Sequence, residues 1–375
     1  MTPSYLDPRS GRTYDLTAPR WCGDDGAPLL LTPLSGISRH RIDSTSPGLW
    51  RYHAALPLPV ADPVTLGEGR TPLLRRRLHG AEPLLKCDWM MPTGSFKDRG
   101  ASVMLSLLRQ QGVTEVLEDS SGNGGAAIAA YAAAAGMRAT ILAPAATSPA
   151  KTVQMRAHGA EVVLVPGSRQ DTADEAVRRA AHVFYASHNW HPFFLQGTKT
   201  LAYELWEDLG FAAPDNVIVP CGAGSNVLGC EIGFSELLRA GEITALPRIF
   251  AAQPANCAPI AASFLAGAPA APEIRPTIAE GTAIAQPIRL PEVLGVLRET
   301  GGGAVMLTEE EIKQALFALA RIGLYVEPTS AQVLAAFQRL LEAGTVTPEQ
   351  TTVLVLTGSG LKATAAIASL LGIAL

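Results

Sequence analysis

Lys97 lies within a nine-residue string, Pro-Thr-Gly-Ser-Phe-Lys-Asp-Arg-Gly, at residues 92–100. A lysine between an apolar run and a Gly-Ser turn can lose hydration, which lowers the pKa of its amine and makes it a nucleophile. Such an amine is suited to forming a Schiff base. Thr93 and Ser95 can cap the helix that follows, whose free N–H groups favour an anion. The alternative is a plain turn in which Lys97 is exposed.

A second string, Asp-Ser-Ser-Gly-Asn-Gly-Gly at residues 119–125, lies between an apolar run and an alanine-rich stretch. Free amides and hydroxyls at the start of a helix bind anions, so the string could hold the carboxylate of an amino acid. Glycine and asparagine are also the usual residues of turns, and an ordinary turn is the alternative.

A third string, residues 219–226, runs from a predicted strand through a glycine-rich turn into a predicted helix. The missing side chains of Gly222 and Gly224 would let backbone N–H groups approach a phosphate. A dinucleotide site is the rival interpretation. The full G-x-G-x-x-G pattern is absent because Val227 occupies its last position, which disfavours that rival.

A fourth string, Leu-Thr-Gly-Ser-Gly-Leu-Lys at residues 356–362, follows the last strongly apolar run. By itself it predicts a turn that ends a strand. The four strings lie in the same order as those of threonine synthase and its relatives, and the chain resembles that group between about residue 50 and residue 362. These are fold-type-II pyridoxal phosphate enzymes of the tryptophan synthase beta superfamily.

The resemblance implies that pyridoxal 5'-phosphate is the cofactor and that Lys97 is the catalytic residue. Lys97 would carry the cofactor and act as general base on the substrate Cα proton, and Asn123 would contact the cofactor's phenolic oxygen. Thr357 would meet the ring nitrogen. The implied cofactor-binding residues are Phe96, Lys97, Asn123, Gly222, Ala223, Gly224, Ser225, Asn226 and Thr357.

The resemblance also implies an amino-acid substrate and the reaction of O-phosphohomoserine with water to give threonine and phosphate. Relatives carry an arginine near the substrate phosphate where this chain has Phe194, so a bidentate charged contact is lost. Threonine or serine dehydratase, a β-replacement enzyme and a catalytically silent ligand-binding relative remain alternatives. The predicted substrate-binding residues are Thr93, Ser95, Ser120, Ser121, Gly122, Asn123, His188 and Asn189.

Short apolar runs that alternate with helical stretches must position these strings. Alternation of this kind predicts parallel strands with right-handed crossovers, a doubly wound α/β fold. The resemblance makes this two open, twisted, mainly parallel sheets flanked by helices, with an N-terminal arm. The predicted division is an arm at 1–75, a large cofactor-binding domain at 76–105 and 195–375, and a small substrate-side domain at 106–194.

Composition limits the partners. Of 375 residues, 47% are hydrophobic and 17% charged, and the net charge of -4 predicts neither nucleic acid nor an anionic membrane as a partner. Five widely spaced cysteines without a CxxC pair predict no zinc or other metal site, and they favour a reducing compartment. The first residues do not resemble a secretory signal, so we expect a cytoplasmic protein. The resemblance implies a homodimer.

Overall fold

The structure is a computed structural model that describes residues 2–374. These residues divide into two compact units. The first unit contains the described residues up to Gly69 together with Lys97–Thr200, and the second contains Arg70–Phe96 and the described residues from Leu201 onward. The domain boundaries predicted at residues 75, 105 and 194 stay a prediction.

Strands and helices alternate along most of the chain. The strands are β1 Ser4–Leu6, β2 Thr13–Asp15, β3 Leu30–Leu31, β4 Leu73–Arg75, β5 Leu84–Lys86, β6 Glu115–Glu118, β7 Arg138–Pro144, β8 Glu161–Val165, β9 Phe184–Tyr185, β10 Asn216–Pro220, β11 Arg248–Pro254, β12 Gly303–Leu307 and β13 Thr352–Val355. The helices are α1 Lys97–Gln110, α2 Asn123–Ala135, α3 Pro149–Ala157, α4 Arg169–Arg179, α5 Pro192–Thr198, α6 Thr200–Asp208, α7 Ser225–Arg239, α8 Pro259–Ala266, α9 Leu290–Glu299, α10 Glu309–Arg321, α11 Pro328–Glu342 and α12 Thr364–Leu370.

The first unit is built on a four-stranded parallel sheet with the strand order β8-β7-β6-β9. Apolar runs in the sequence predict β6, β7 and β8, and these strands are confirmed. The alanine-rich stretch forms α2, which ends at Gly136 in a left-handed conformation with φ of +69°. Three short antiparallel strands, in the order β2-β1-β3, belong to the same unit.

The second unit contains a six-stranded sheet with the order β12-β11-β10-β13-β5-β4, in which β4 alone runs antiparallel to its neighbour. Every residue of β10 and β13 is buried, as expected of central strands covered on both faces. Thr308 and Glu311 begin α10 with a reciprocal capping box, as their spacing predicts.

Two mainly parallel sheets with helical connections confirm the predicted α/β fold class. No helix within residues 2–374 combines the length and the apolar character that a membrane crossing requires.

Glu68 ties the N-terminal segment into the first unit. Its carboxylate is buried and accepts hydrogen bonds from Trp50 Nε1 at 3.1 Å, Ser102 Oγ at 2.6 Å, Tyr131 Oη at 2.7 Å and the backbone N–H of Leu66 at 2.8 Å. Since Ser102 lies on α1 and Tyr131 on α2, one side chain joins three segments of the chain.

Lys86 carries a fully buried charge at the end of β5 in the second unit. Its Nζ lies 2.7 Å from Glu204 Oε1, 2.7 Å from Asp208 Oδ2 and 2.7 Å from the carbonyl oxygen of Thr71. Glu204 is equally buried. A buried carboxylate of this kind depends on its cation, because desolvation costs more than its remaining hydrogen bonds return.

We expect Lys86→Met to lower the free energy of unfolding by about 3–5 kcal/mol, because it leaves Glu204 buried without its cation. Urea denaturation followed by circular dichroism measures the change. The matched control is Arg70→Met, which removes the exposed partner of Glu207 on the same helix and should cost within about 1 kcal/mol. Equal losses in the two variants would contradict the account of Lys86.

Candidate active site

Lys97 is the first residue of α1, and its side chain is half-buried. The turn before it depends on Gly94, whose φ is +84° and whose N–H donates to the carbonyl oxygen of Met91 at 2.8 Å. Lys97 Nζ lies 5.5 Å from the centroid of the Phe194 ring. The amine is therefore held against an aromatic surface within the first unit.

Close packing of α1 on α5 fixes this arrangement. A Cβ on Gly197 would lie 2.0 Å from the carbonyl oxygen of Arg99, and a Cβ on Gly100 would lie 2.5 Å from the Phe194 ring. Neither position has room for a side chain. The two helices therefore approach so closely that Phe194 rests on the first turn of the helix that carries Lys97.

The string at residues 119–125 forms a tight loop between β6 and α2. Ser120 Oγ accepts a hydrogen bond from the N–H of Gly122 at 3.4 Å, and Asn123 is the first residue of α2. A Cβ on Gly125 would lie 2.1 Å from the carbonyl oxygen of Ser120. The glycines thus allow the helix start to fold back on the loop, with its first N–H groups free of acidic side chains.

His188 is bound to Glu118 at the end of β6. Its Nδ1 lies 2.5 Å from Glu118 Oε1, and its backbone N–H donates to Glu118 Oε2 at 3.0 Å. Burial raises the pKa of Glu118 to about 7, although the His188 N–H, Arg169 and Lys97 act in the opposite direction. Burial and then the charge of Lys97 lower the pKa of His188 well below its usual range.

Asp119 adds a second buried carboxylate beside this pair. Its Oδ2 lies 2.7 Å from Arg169 Nη2, and its Oδ1 accepts a hydrogen bond from Tyr185 Oη at 2.6 Å. Burial raises the pKa of Asp119, and the charge of Arg169 lowers it in part. Arg169 therefore balances the carboxylate of Asp119, while Glu118 is left to its contact with His188.

The glycine-rich loop of the second unit follows β10 and ends at α7. Gly224 has φ of +96°, and a Cβ there would lie 2.2 Å from Val293 Cγ2. A Cβ on Gly222 would lie 3.2 Å from the carbonyl oxygen of Gly281. The amide Nδ2 and Oδ1 of Asn226 are buried without a hydrogen-bond partner among residues 2–374. Free backbone and an unsatisfied amide at a helix start suit a phosphate.

Thr357 lies after β13 in the second unit and is buried. Ser330 Oγ accepts hydrogen bonds from the N–H groups of Thr357 at 3.0 Å and Gly358 at 2.8 Å, and it lies 3.2 Å from Thr357 Oγ1. A Cβ on Gly358 would lie 2.3 Å from a carboxylate oxygen of Glu327. Sequence reasoning left Glu327 and Ser359 without a role and missed Ser330.

The structure groups the predicted residues by unit. In the first unit, Lys97 and His188 lie on opposite sides of Phe194, and His188 also packs against the loop that holds Ser120, Ser121, Gly122 and Asn123. Asn189 follows His188 and is half-buried.

In the second unit, the carbonyl oxygen of Thr93 accepts a hydrogen bond from Lys362 Nζ at 2.9 Å. Ser95 pairs with Gly358, and the N–H of Phe96 donates to the carbonyl oxygen of Thr357 at 2.9 Å. The loop at residues 222–226 belongs to this unit as well.

Residues 64–358 match the family described as pyridoxal-phosphate dependent enzyme. The chain belongs to this family. It is 34% identical over 337 residues to the threonine synthase of Methanosarcina acetivorans, covering 87% of this chain and 83% of that protein. It is also 34% identical to the threonine synthase of Mycobacterium tuberculosis, covering 81% and 86%.

Solved structures agree with this membership. A bacterial-type threonine deaminase, that of T.th., superposes with a TM-score of 0.66 at 29% identity, covering 77% of this chain and 92% of that one. Maize serine racemase, at 23% identity, shares the fold with a TM-score of 0.68, covering 81% and 92%. As predicted, the protein is a fold-type-II enzyme that uses pyridoxal phosphate.

The residues of this chain fit the cofactor. Its phosphate suits the loop at residues 222–226, where Gly222 and Gly224 leave the backbone uncovered and Asn226 offers an unsatisfied amide. Its aldehyde requires a primary amine, which Lys97 provides at the start of α1.

We expect Gly224→Ala to weaken pyridoxal phosphate binding by roughly tenfold or more, because a side chain at this φ is strained and would overlap Val293. Absorbance titration of the apoprotein measures the dissociation constant. Gly295→Ala on α9 is the matched control, since a Cβ there meets nothing within 4 Å. The loop would lose its assigned role if both variants bound the cofactor as tightly as the wild type.

Glu118 should make the protein less stable as the pH rises. Its folded-state pKa of about 7 lies above the ordinary value of 4.5, so folding takes up a proton between these two values. The wild type should therefore lose up to roughly 3 kcal/mol of stability relative to Glu118→Gln as pH rises from 4.5 to 7. Urea denaturation of both proteins across this range measures the difference; a difference independent of pH would contradict the assignment.

Proposed function

We propose that this enzyme catalyses elimination or replacement at the side chain of a small α-amino acid, with O-phosphohomoserine and water giving threonine and phosphate as its reaction. The main support is the 34% identity with a threonine synthase over 87% of the chain. Lys97 supports it further, because its half-buried amine starts α1 beside Phe194 and near the electrostatic influence of His188 and Glu118.

When bound, pyridoxal phosphate withdraws electrons from the substrate and makes its Cα proton acidic. Lys97 carries the cofactor and moves that proton at its Nζ. The free N–H groups at the start of α2, with Ser120 and Asn123, bind the substrate carboxylate. Residues 222–226 bind the cofactor phosphate.

Thr357 faces the ring nitrogen with a hydroxyl. A hydroxyl is neutral and supplies no charge that would keep that nitrogen protonated, so the electron sink is limited. This favours elimination and replacement over transamination.

Phe194 favours a second candidate, dehydration of threonine or serine. Its side chain is fully buried and lies against Gly100, so the residue presents a ring where a phosphorylated substrate would require a cation. The likeness to the threonine deaminase of T.th. supports the same candidate. In both reactions an oxygen is added to or lost from Cβ.

We also infer a cytoplasmic homodimer. The five cysteines are all unpaired, which supports a reducing compartment. The homodimer is supported by the resemblance to a family whose members are commonly dimers, and light scattering of the holoenzyme measures the mass.

Steady-state assays separate the candidates. Holoenzyme that releases inorganic phosphate from O-phosphohomoserine and forms threonine supports the synthase, whereas 2-oxo acid from threonine or serine supports the dehydratase. Lys97→Ala should lower either rate by roughly 10³-fold or more, because it removes both the covalent anchor and the base. Lys313→Ala, an exposed change on α10, should leave the rate unchanged.

Wild-type holoenzyme that forms none of these products would contradict the proposed function. Borohydride reduction followed by peptide mapping provides an independent control, because it should place the cofactor on Lys97 in the wild type.

A further inference from the structure

The contact between Glu118 and His188 fixes the orientation of the imidazole. Glu118 holds the residue twice, through Nδ1 at 2.5 Å and through the backbone N–H at 3.0 Å. The ring therefore cannot turn over without breaking its contact with the carboxyl group. Nδ1 is occupied by this contact, which leaves Nε2 as the ring nitrogen able to exchange a proton with another group.

The imidazole lies where an amino acid held by Lys97 and the start of α2 would have its side chain. A Cβ on Gly124, in the first turn of α2, would lie 2.7 Å from His188 Nδ1. On its other side, the ring of His188 packs edge-on against Phe194 with centroids 5.8 Å apart. Phe194 is also the ring beneath Lys97 Nζ. The helix start, the imidazole and the amine thus form one neighbourhood within the first unit.

Charged groups from several elements act on this pair. Lys97 on α1 and Arg169 on α4 contribute positive charge, and Asp119 after β6 contributes negative charge. Arg169 is bound to Asp119, and Tyr185 on β9 donates to the same carboxylate. Two carboxyl groups therefore face two cations, a balance better suited to moving a proton than to holding a dianion.

We propose that His188 is the acid–base residue for the oxygen that is lost from or added to Cβ of the substrate, and that Glu118 orients its ring and stores its proton. This inference rests on the proposed function, and it holds for the synthase and the dehydratase alike. It explains why a carboxyl group that is bound to a histidine is kept fully buried at the end of β6.

The proton transfers balance in both directions. In loss of a hydroxyl group, Lys97 takes the Cα proton, the Cβ–O bond breaks with its electron pair on oxygen, and His188 Nε2–H protonates that oxygen, which leaves as water. Nδ1 takes the carboxyl proton of Glu118 at the same time, so the ring stays neutral, and solvent later restores Glu118. In addition of water, the O–Cβ bond forms, the water proton passes to Nε2, the Nδ1 proton returns to Glu118 and Lys97 returns a proton to Cα.

The first experiment observes the imidazole itself in the holoenzyme by ¹⁵N NMR between pH 6 and 8, with its signals assigned by their loss in His188→Gln. The proton should lie mainly on Nδ1 at the upper end of this range and mainly on Nε2 at the lower end, because protonated Glu118 donates to Nδ1. Glu118→Gln should abolish this change of tautomer. An imidazole that shows the same tautomer throughout, or the same behaviour in Glu118→Gln, would overturn the role of Glu118.

The second experiment separates the step at Cα from the step at Cβ. His188→Gln should lower product formation roughly 100-fold or more, while exchange of the substrate Cα hydrogen with D₂O stays within about threefold of the wild type. His182→Gln, an exposed histidine of the same unit, is the matched control and should change neither rate. The cofactor absorbance band of each variant shows that it remains loaded.

Product formation by His188→Gln at the wild-type rate would overturn the inference while leaving the proposed function intact. Equal loss of exchange and product formation would also overturn it, because it would indicate a structural role. A wild type that turns over none of the amino acids would contradict the proposed function, and the inference would fall with it.

Discussion

The contact between α1 and α5 is the constraint on which the chemistry of the first unit depends. Gly197 and Gly100 leave no space between a carbonyl of α1 and the backbone of α5, or between α1 and the Phe194 ring. Because Lys97 begins α1 and His188 lies just before α5, the same contact sets the position of the amine and of the imidazole. A methyl group at either glycine would have to separate two helices that both lead into the site.

Electrostatics at this site work against stability and in favour of reactivity. A carboxyl group with no exposure, such as Glu118, is costly when ionised, and a cofactor-binding amine nearby only partly compensates for that cost. Perturbed groups of this kind concentrate where proton transfer is needed. The pairing of Asp119 with Arg169 shows the opposite arrangement next to it, in which a buried carboxylate is matched by a guanidinium and stabilises the loop between β6 and α2.

Much of the fold could be predicted because its signals are local. Apolar runs predict β10, β11 and β13, and the spacing of Thr308 and Glu311 predicts the start of α10. The strands β4 and β5 have three residues each and pair with partners distant in the chain, so no local pattern marks them. Glycine-bearing strings predicted the loops, since a helix start after a strand has a recognisable sequence.

The partners of the site residues could not be predicted in the same way. Glu118 looks like the polar end of a strand, and its burial against His188 depends on two residues 70 positions apart. Ser330 is separated by 27 positions from Thr357, whose backbone it binds. Gly100 and Gly197 look like ordinary helix residues until the helices are packed. Such contacts follow from tertiary structure, and a single sequence contains no record of them.

The hydrogen bonds that converge on Glu68 have an evolutionary consequence. They join Trp50 in the N-terminal segment to Ser102 on α1 and Tyr131 on α2 through one carboxylate. Recombination that exchanged the first seventy residues for those of a relative would leave a buried hydroxyl or indole unsatisfied unless both helices changed as well. The N-terminal segment is thereby committed to inheritance together with the domain that it covers.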